Sequence, residues 1–428
     1  MEPLPHTISW NITRRCNLHC AHCYLDAAFR EGRRGDELDT GECLRVIDQI
    51  TAVNPNALLI LTGGEPLLRP DLFTIADYAT RQGLLPVIGT NGTLLTRGLA
   101  QKMLRHGVKG VGLSLHALRP EAHDAFTGVP GSWARAVRGA AMLRDTRRDF
   151  IIQTCCASWN YDEIPALADF AHELGARVFN LYFLVCSGRG QGMTDISAAR
   201  REAILGRLFE IQKAYEGRLL VGAKCAPQYQ RIIYQADPAS PFLRTFSGGC
   251  PAAIHYCQIT PRGDVTPCPY LSVPAGNVRE TPFAEIWQAA PLLVELRDRG
   301  RLRGRCGRCE FRTICSGCRA RAYAETRDWF AEDPSCPYEP GRHGQVPIGL
   351  DVTRTFGLEA EGEMVWTESA RERLARVPSF ARGMVLKGVE RFARERGLAE
   401  VTPEVMQEAR ASFLGAMKFP PARWTVRP

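Results

Sequence analysis

Three cysteines within eight residues, Cys16, Cys20 and Cys23, constrain this chain more than anything else in it. Far downstream a second group follows: Cys250, Cys257, Cys268, Cys306, Cys309, Cys315, Cys318 and Cys336. Three thiolates can hold three corners of a cubane [4Fe–4S] cluster and leave one iron open to an external chelator. Eight can close two further clusters. Three cysteines cannot comfortably close a tetrahedral zinc site, so a zinc alternative for the first group needs His19 or His22. Two zinc sites are the corresponding alternative for the second. One open and two closed clusters point to radical chemistry supported by extra redox centres.

A chain of 428 residues has room for two or three domains. Its formal net charge of +8 comes from spread-out positive residues, as in the Arg-rich stretch Arg297 to Arg312, and not from a basic tail. A basic surface suits an anionic substrate or an acidic redox partner; the alternative is a solvated surface with no ligand. Nucleic acid is not an expected partner. Met1 to Pro5 lacks a basic n-region, and no apolar h-region follows. The longest apolar stretch, Val178 to Cys186, is too short to span a bilayer and contains Asn180. The expectation is a cytoplasmic protein without a membrane span, in whose reducing compartment clustered cysteines read as metal ligands. Cys43, Cys155, Cys156 and Cys186 read as small buried hydrophobes.

Short β-rich runs alternate with helical patterns over residues 1–215. His6–Thr13, Ala57–Thr62, Pro86–Gly89, Gly110–Leu115, Phe150–Cys155 and Arg177–Val185 read as strands. Gly41–Val53, a segment from Pro70, Leu94–His106, Ser132–Arg144, Tyr161–Leu174 and Ser197–Tyr215 read as helices. Such units make a parallel sheet, open or curled into a barrel, with ligands at the carboxyl ends of its strands. Residues 216–340 are rich in Cys, Gly and Pro, with little apolar core of their own and a hairpin, Gln258–Thr266, turning at Arg262–Gly263. Metal clusters then supply much of the folding energy there. Residues 341–362 read as a linker. A small helical unit, 363–428, follows with helices Glu368–Arg376, Pro378–Glu395 and Pro403–Phe413, the last N-capped by Thr402.

The loop C-N-L-H-C-A-H-C-Y after the first strand resembles the radical S-adenosylmethionine superfamily over roughly residues 7–215. The fold implied is α/β, a partial (β/α)6 barrel. The resemblance implies that Cys16, Cys20 and Cys23 hold an open [4Fe–4S] cluster, to which S-adenosylmethionine binds and is reductively cleaved to a 5′-deoxyadenosyl radical. Gly63-Gly64-Glu65-Pro66 follows the second strand about forty residues later, and in the family this motif holds the methionyl amine; a carboxylate can accept bonds from an ammonium. Asn91 and Ser114, at the ends of the third and fourth strands, are implied to lie near the nucleoside or carboxylate of the cofactor. Their alternative is ordinary turn polarity. Tyr24 is implied to contact the adenine. His116 reads as a local hydrogen bonder, and Asn160 as a ribose contact or a helix N-terminal group.

The second cysteine group resembles the SPASM extension of the same enzymes. Mapping by order assigns Cys250, Cys257, Cys268 and Cys318 to one auxiliary cluster and Cys306, Cys309, Cys315 and Cys336 to the other, three [4Fe–4S] clusters in all. Peptide-modifying members usually have three residues between the last close pair, whereas two separate Cys315 from Cys318. Cys225, in Lys224-Cys225-Ala226-Pro227, resembles a segment of haem-biosynthesis members and is either a functional residue, with catalysis among its roles, or a buried thiol. Trp366-Thr367-x-Ser369, Val377-Pro378-x-Phe380-x-Arg382-Gly383 and Val401-Thr402-Pro403-Glu404 look like the small C-terminal domain of the B subunit of light-independent protochlorophyllide reductase. There that domain helps cover a tetrapyrrole; a docking module is the alternative.

These resemblances imply an enzyme that modifies a tetrapyrrole side chain, by decarboxylating or removing propionates as in the haem and haem d1 pathways. A low-potential donor such as ferredoxin or flavodoxin is the implied electron source. A SPASM peptide or protein maturase keeps the chemistry and changes the substrate, although only about six residues precede the first strand, where a precursor-binding domain is expected. A non-catalytic electron-transfer protein is the third reading; neither GGEP nor an open cluster serves simple electron relay.

Overall fold

A computed structural model describes residues 3–29, 35–193, 196–244, 249–349, 364–375, 377 and 379–415. Seven parallel strands cross the central sheet in chain order. They are β1 (Thr7–Thr13), β2 (Leu58–Gly63), β3 (Leu85–Thr90), β4 (Val111–Ser114), β5 (Phe150–Cys156), β6 (Val178–Phe183) and β7 (Leu220–Lys224). The order never reverses, so every right-handed crossover lays its helix on the same face. A sheet covered on one face curls around the other, which selects the barrel over the open sheet. It stays partial. β7 is one edge, and beyond β1 the sheet continues through β8 (Tyr256–Ile259), β9 (Asp264–Thr266) and β10 (Gly276–Asn277). β8 runs parallel to β1, and β9 and β10 are antiparallel.

Two of these features differ from the expectation. The parallel run has a seventh strand beyond residue 215; β7 is five residues long and contains Gly222, too short to show a period. The expected hairpin pairs Gln258 with Thr266, but it is also sewn onto the barrel edge through β1. Val265, Phe283, Ile286, Trp287, Leu293 and Leu296 thereby share the barrel's core, in line with a segment that has little apolar core of its own. Among the described residues of this segment, those around Phe311, Ile314, Cys315 and Tyr338 form a small, separate cluster.

Strand alternation sorts side chains by chemistry. Ile8, Trp10 and Ile12 point to the helix-covered face and are fully buried with Leu59, Leu61 and Ile88. Helix α1 (Thr40–Val53) covers that face with Cys43, Val46, Ile47 and Ile50, a helical period, behind an Asp39–Glu42 capping box. Thr7, Ser9, Asn11 and Thr13 point inward. The register extends the division: Tyr256 lies opposite Thr7, Cys257 opposite Ile8 and Gln258 opposite Ser9. Thr62, Ser114, Gln153, Tyr182 and Lys224 share the polar inner face.

The C-terminal unit has a core of its own, built on Trp366, Leu374, Leu386, Phe392, Val401 and Met406. Its helices are Glu368–Ala375, Ser379–Glu395 and Pro403–Gly415, close to the expected spans. Val405 N donates to Thr402 Oγ1 at 3.4 Å, the expected cap. Pro378, the side chains of Phe380, Arg382 and Gly383, and residues 350–362 of the expected linker lie outside the described residues. Among the described residues no helix is long and apolar enough to cross a membrane. Buried Glu390 accepts from Trp366 Nε1 at 2.8 Å and from Met364 N at 3.2 Å. Trp366→Phe removes a bond to a buried carboxylate and is expected to destabilise this unit by about 1.5–3 kcal/mol, read by denaturant unfolding.

Candidate active site and thiol clusters

The loop after β1 carries Cys16, Cys20 and Cys23 at the carboxyl end of the barrel, packed with Leu18, Leu25, Ala27 and Val129. Leu18 N and Ala27 N point at Cys16 Sγ and Cys23 Sγ, each at 3.4 Å, and Asn91 Nδ2 lies 4.0 Å from Cys16 Sγ. Such donors support sulfur ligands of iron clusters. Burial pushes the Cys16 thiol up to about 11 and the Cys20 thiol up to about 12, and each neighbouring thiolate adds to the cost. A cationic iron core removes that cost, so the three thiols fit the open cluster. The zinc alternative fares worse. The ring of His22 stacks on Phe126 with centroids 4.5 Å apart, and burial pushes its pKa down to about 4. Among the described residues no three His, Cys, Asp or Glu side chains form a compact site for a single ion.

Gly63 and Gly64 are required by close backbone approach. Gly64 N donates to Thr13 O at 2.8 Å, and Glu65 N to Arg15 O at 2.7 Å. A Cβ on Gly64 would sit 2.1 Å from Arg15 O, and one on Gly63 2.3 Å from Thr13 O, with φ of +141° at Gly63. The motif thus clamps the start of the cysteine loop. Pro66 opens a single 3-10 turn, Pro66–Leu68, capped by Glu65. The Glu65 carboxylate is fully buried. It accepts from Leu67 N at 3.1 Å, Thr90 Oγ1 at 2.8 Å and Asn91 N at 2.9 Å. Burial pushes this carboxyl up to about 7 against those bonds. In this arrangement Glu65 ties β2 to β3.

Asn91 is engaged in the same way. Its Nδ2 donates to Asn17 Oδ1 at 2.8 Å, and its Oδ1 accepts from Thr93 N at 2.9 Å. Asn17 Nδ2 donates to Thr93 Oγ1 at 2.8 Å, so the end of β3 and the cysteine loop share one amide network. Ser114 ends β4, half-buried beside Gln153. Tyr24 OH donates to Asn11 Oδ1 at 2.9 Å, and its ring meets Tyr270 edge-on at 5.3 Å, against the inner face. His116 accepts from Cys155 N at 3.2 Å, the local role expected of it. Asn160 is spent on Ala157 N, His116 O and Cys155 O, each at 2.8 Å. Phe126, Cys155, Leu184, Trp159, Cys186 and Met193 form an apolar patch at these strand ends. Arg189 was not singled out by sequence. It donates to Cys20 O at 3.2 Å and Ala27 O at 3.0 Å and pairs with Asp26 at 2.8 Å, stapling the cysteine loop.

Cys306, Cys309, Cys315 and Cys336 line one cavity together, the set expected for one auxiliary cluster. Two almost fully buried arginines face them. Arg319 Nη2 lies 3.8 Å from Cys306 Sγ, and Arg231 Nη2 3.9 Å from Cys336 Sγ. Burial raises all four thiols, to about 11 at Cys309. Cations here offset the charge of a four-thiolate cluster, and no motif announces them. The other set is divided. Cys250, Cys268 and Cys318 are mutual neighbours. Cys257 stands apart on the helix-covered face with Ile8, and Cys225, at the end of β7, lies among the three instead.

Comparison with known proteins adds three findings. The family description "Radical SAM superfamily" matches residues 10–171, "Iron-sulfur cluster-binding domain" matches 250–319, and "Proto-chlorophyllide reductase 57 kD subunit" matches 366–410. The chain is 40% identical over 350 residues to the AdoMet-dependent heme synthase of Methanosarcina barkeri, covering 80% of this chain and 99% of that one. It is 32% identical to the pre-heme d1 synthase of Dinoroseobacter shibae, covering 78% and 86%. Its fold is similar to that of SuiB of Streptococcus suis bound to S-adenosylmethionine, with a TM-score of 0.64 at 18% identity over 78% of each chain.

Gly64→Ala drives a methyl group into the carbonyl of Arg15. It is expected to cost about 1–3 kcal/mol, seen as a lower Tm, and to reduce the iron bound by the cysteine loop.

Proposed function

The chain belongs to the radical S-adenosylmethionine superfamily, in the iron–sulfur-extended branch that includes the AdoMet-dependent heme synthases, and we propose that it removes or oxidatively decarboxylates a tetrapyrrole propionate. The enzyme class follows from the family; the substrate is the step beyond it. The observation that carries the substrate reading is the 40% identity running through nearly the whole of a heme synthase. An apolar cluster at the strand ends, buried Phe126 and Leu184 with partly buried Trp159 and Met193, supports it as a wall that a flat macrocycle would meet. The short Cys315–Cys318 spacing also departs from the peptide-modifying pattern.

Cys16, Cys20 and Cys23 would hold the open cluster, and Cys306, Cys309, Cys315 and Cys336 a closed one. A third would be built on Cys250, Cys268 and Cys318. With S-adenosylmethionine bound, the first supplies a 5′-deoxyadenosyl radical. The chain's own residues position it. Asn17, Asn91 and Thr93 brace the cysteine loop, Gly63 and Gly64 clamp its start and would lie next to the methionyl group, and Tyr24 and Ser114, at the inner face, would face the nucleoside. Glu65 contributes by fixing that frame. Loss of one propionate carboxyl as carbon dioxide, after hydrogen abstraction, leaves one electron to remove. That net oxidation is the reason for further redox centres in the same chain. A ferredoxin or flavodoxin is the proposed reductant.

Anaerobically reconstituted protein with dithionite and S-adenosylmethionine is expected to form 5′-deoxyadenosine, and Cys16→Ala, Cys20→Ala or Cys23→Ala to abolish it. With iron-coproporphyrin and related tetrapyrroles, mass analysis should find, for each 5′-deoxyadenosine formed, either loss of carbon dioxide with two hydrogens or loss of a propionate arm. No 5′-deoxyadenosine at full iron occupancy sinks the enzymatic reading. 5′-Deoxyadenosine with unchanged masses across the panel sinks the tetrapyrrole reading and turns the search to peptides.

A further inference from the structure

Strand geometry separates Cys257 from the other three cysteines of the expected auxiliary set. Cys257 is the second residue of β8 and is in register with Ile8 of β1. Side chains in register on neighbouring strands point to one face, and alternate residues to opposite faces. Cys257 and Ile259 therefore join Ile8 and Trp10 beneath the helices, and all four are fully buried there. The charged neighbour of Cys257 is Arg297, which lies over the Trp287 ring at 4.7 Å and donates to Ala253 O at 2.9 Å. Tyr256, one residue earlier, takes the inner face, where it neighbours Tyr24, Tyr182 and Cys268. A cluster cannot be ligated from both faces of one sheet at once.

Cys225 supplies what Cys257 does not. It follows β7 with a left-handed φ of +56°, a conformation that non-glycine residues hold only where their surroundings enforce it. The enforcing contact is present. Arg321 Nη2 donates to the Cys225 carbonyl at 2.8 Å, and Arg321 Nη1 pairs at 3.2 Å with the fully buried side chain of Asp333. Asp333 Oδ2 in turn accepts from Cys318 N at 2.8 Å. One bonded chain thus joins the end of β7 to Cys318. The neighbours of the Cys225 thiol include Cys318, Arg321, Cys268 and Cys250, with Tyr182 and Tyr270. Arg299 stands beside Cys250, so two arginines flank this thiol group as two flank the other.

We propose that Cys225, Cys250, Cys268 and Cys318 ligate one auxiliary cluster, and that Cys257 is a residue of the apolar core. The assignment rests on the reading of the second cysteine group as two clusters. It makes the end of β7 part of that site, so the barrel and the extension share a ligand set. It also gives the Lys224–Pro227 segment a structural purpose at the carboxyl end of a barrel strand.

Iron and sulfide content and the EPR spectrum of the reduced protein, for wild type, Cys225→Ala and Cys257→Ala, test it. Cys225→Ala is expected to lose roughly one third of the iron, one cluster in three, or to keep it with an altered auxiliary signal where an outside ligand replaces the thiolate. Cys257→Ala is expected to match wild type in iron, sulfide and spectrum. Loss of cluster iron in Cys257→Ala overturns the assignment, as does a Cys225→Ala protein with unchanged iron and spectrum. If Cys225→Ala does not fold, the Cys257→Ala result decides. Wild type that holds only the first cluster's iron would overturn the two-cluster reading, and the assignment with it.

Discussion

Thiolates buried at close range repel one another and lose their hydration, and the rest of this structure answers that cost. Burial pushes Cys16, Cys309 and Cys318 up to about 11 and Cys20 up to about 12, and raises Cys225, Cys268 and Cys315 as well. None of these groups is stable as a thiolate without positive charge close by. The protein contributes part of it through N–H donors at the first loop and through Arg231, Arg299, Arg319 and Arg321 around the second group. Iron supplies the remainder. Because ligands are assembled only in the folded chain, the free energy of metal binding becomes folding free energy. This matters most around Cys306–Cys336, where the apolar cluster is smallest.

The barrel places that chemistry by two simple rules. Sequential strand order puts every helix on the outside, and alternation then leaves hydroxyls, amides and an amine on the inside. Backbone contact does the fine positioning. Gly63 and Gly64 press against Thr13 and Arg15, so the second strand end fixes the start of the cysteine loop. Buried Glu65 then ties Thr90 and Asn91 to the same frame. A displaced glycine is therefore felt at the thiols.

Much of this was legible in the sequence because the signals are local. The cysteine loop, GGEP, the strand–helix alternation and the C-terminal helices each occupy a short window whose spacing carries the chemistry. What escaped depends on pairing between distant segments. β7 is too short to show a period, and its place in the sheet comes from pairing with β6. The pairing of β8 with β1 joins residues far apart in the chain. That pairing alone decides which face Cys257 takes, so order along the chain could not sort the ligands. Glu65 reads as a contact for an ammonium because its type and motif suggest one; its burial against Thr90 and Asn91 appears only in three dimensions. The arginines beside the thiols carry no motif, since any of the chain's many arginines could have stood there.

The central claim is that Cys16, Cys20 and Cys23 build an open cluster in a frame made for S-adenosylmethionine, while the remaining clusters are closed. EPR of the fully reconstituted, reduced protein with and without S-adenosylmethionine tests it most directly. The account predicts that the cofactor shifts one signal, absent from a variant lacking Cys16, and leaves the auxiliary signals unmoved. Spectra that do not respond to S-adenosylmethionine, or a response that survives loss of Cys16, would contradict it.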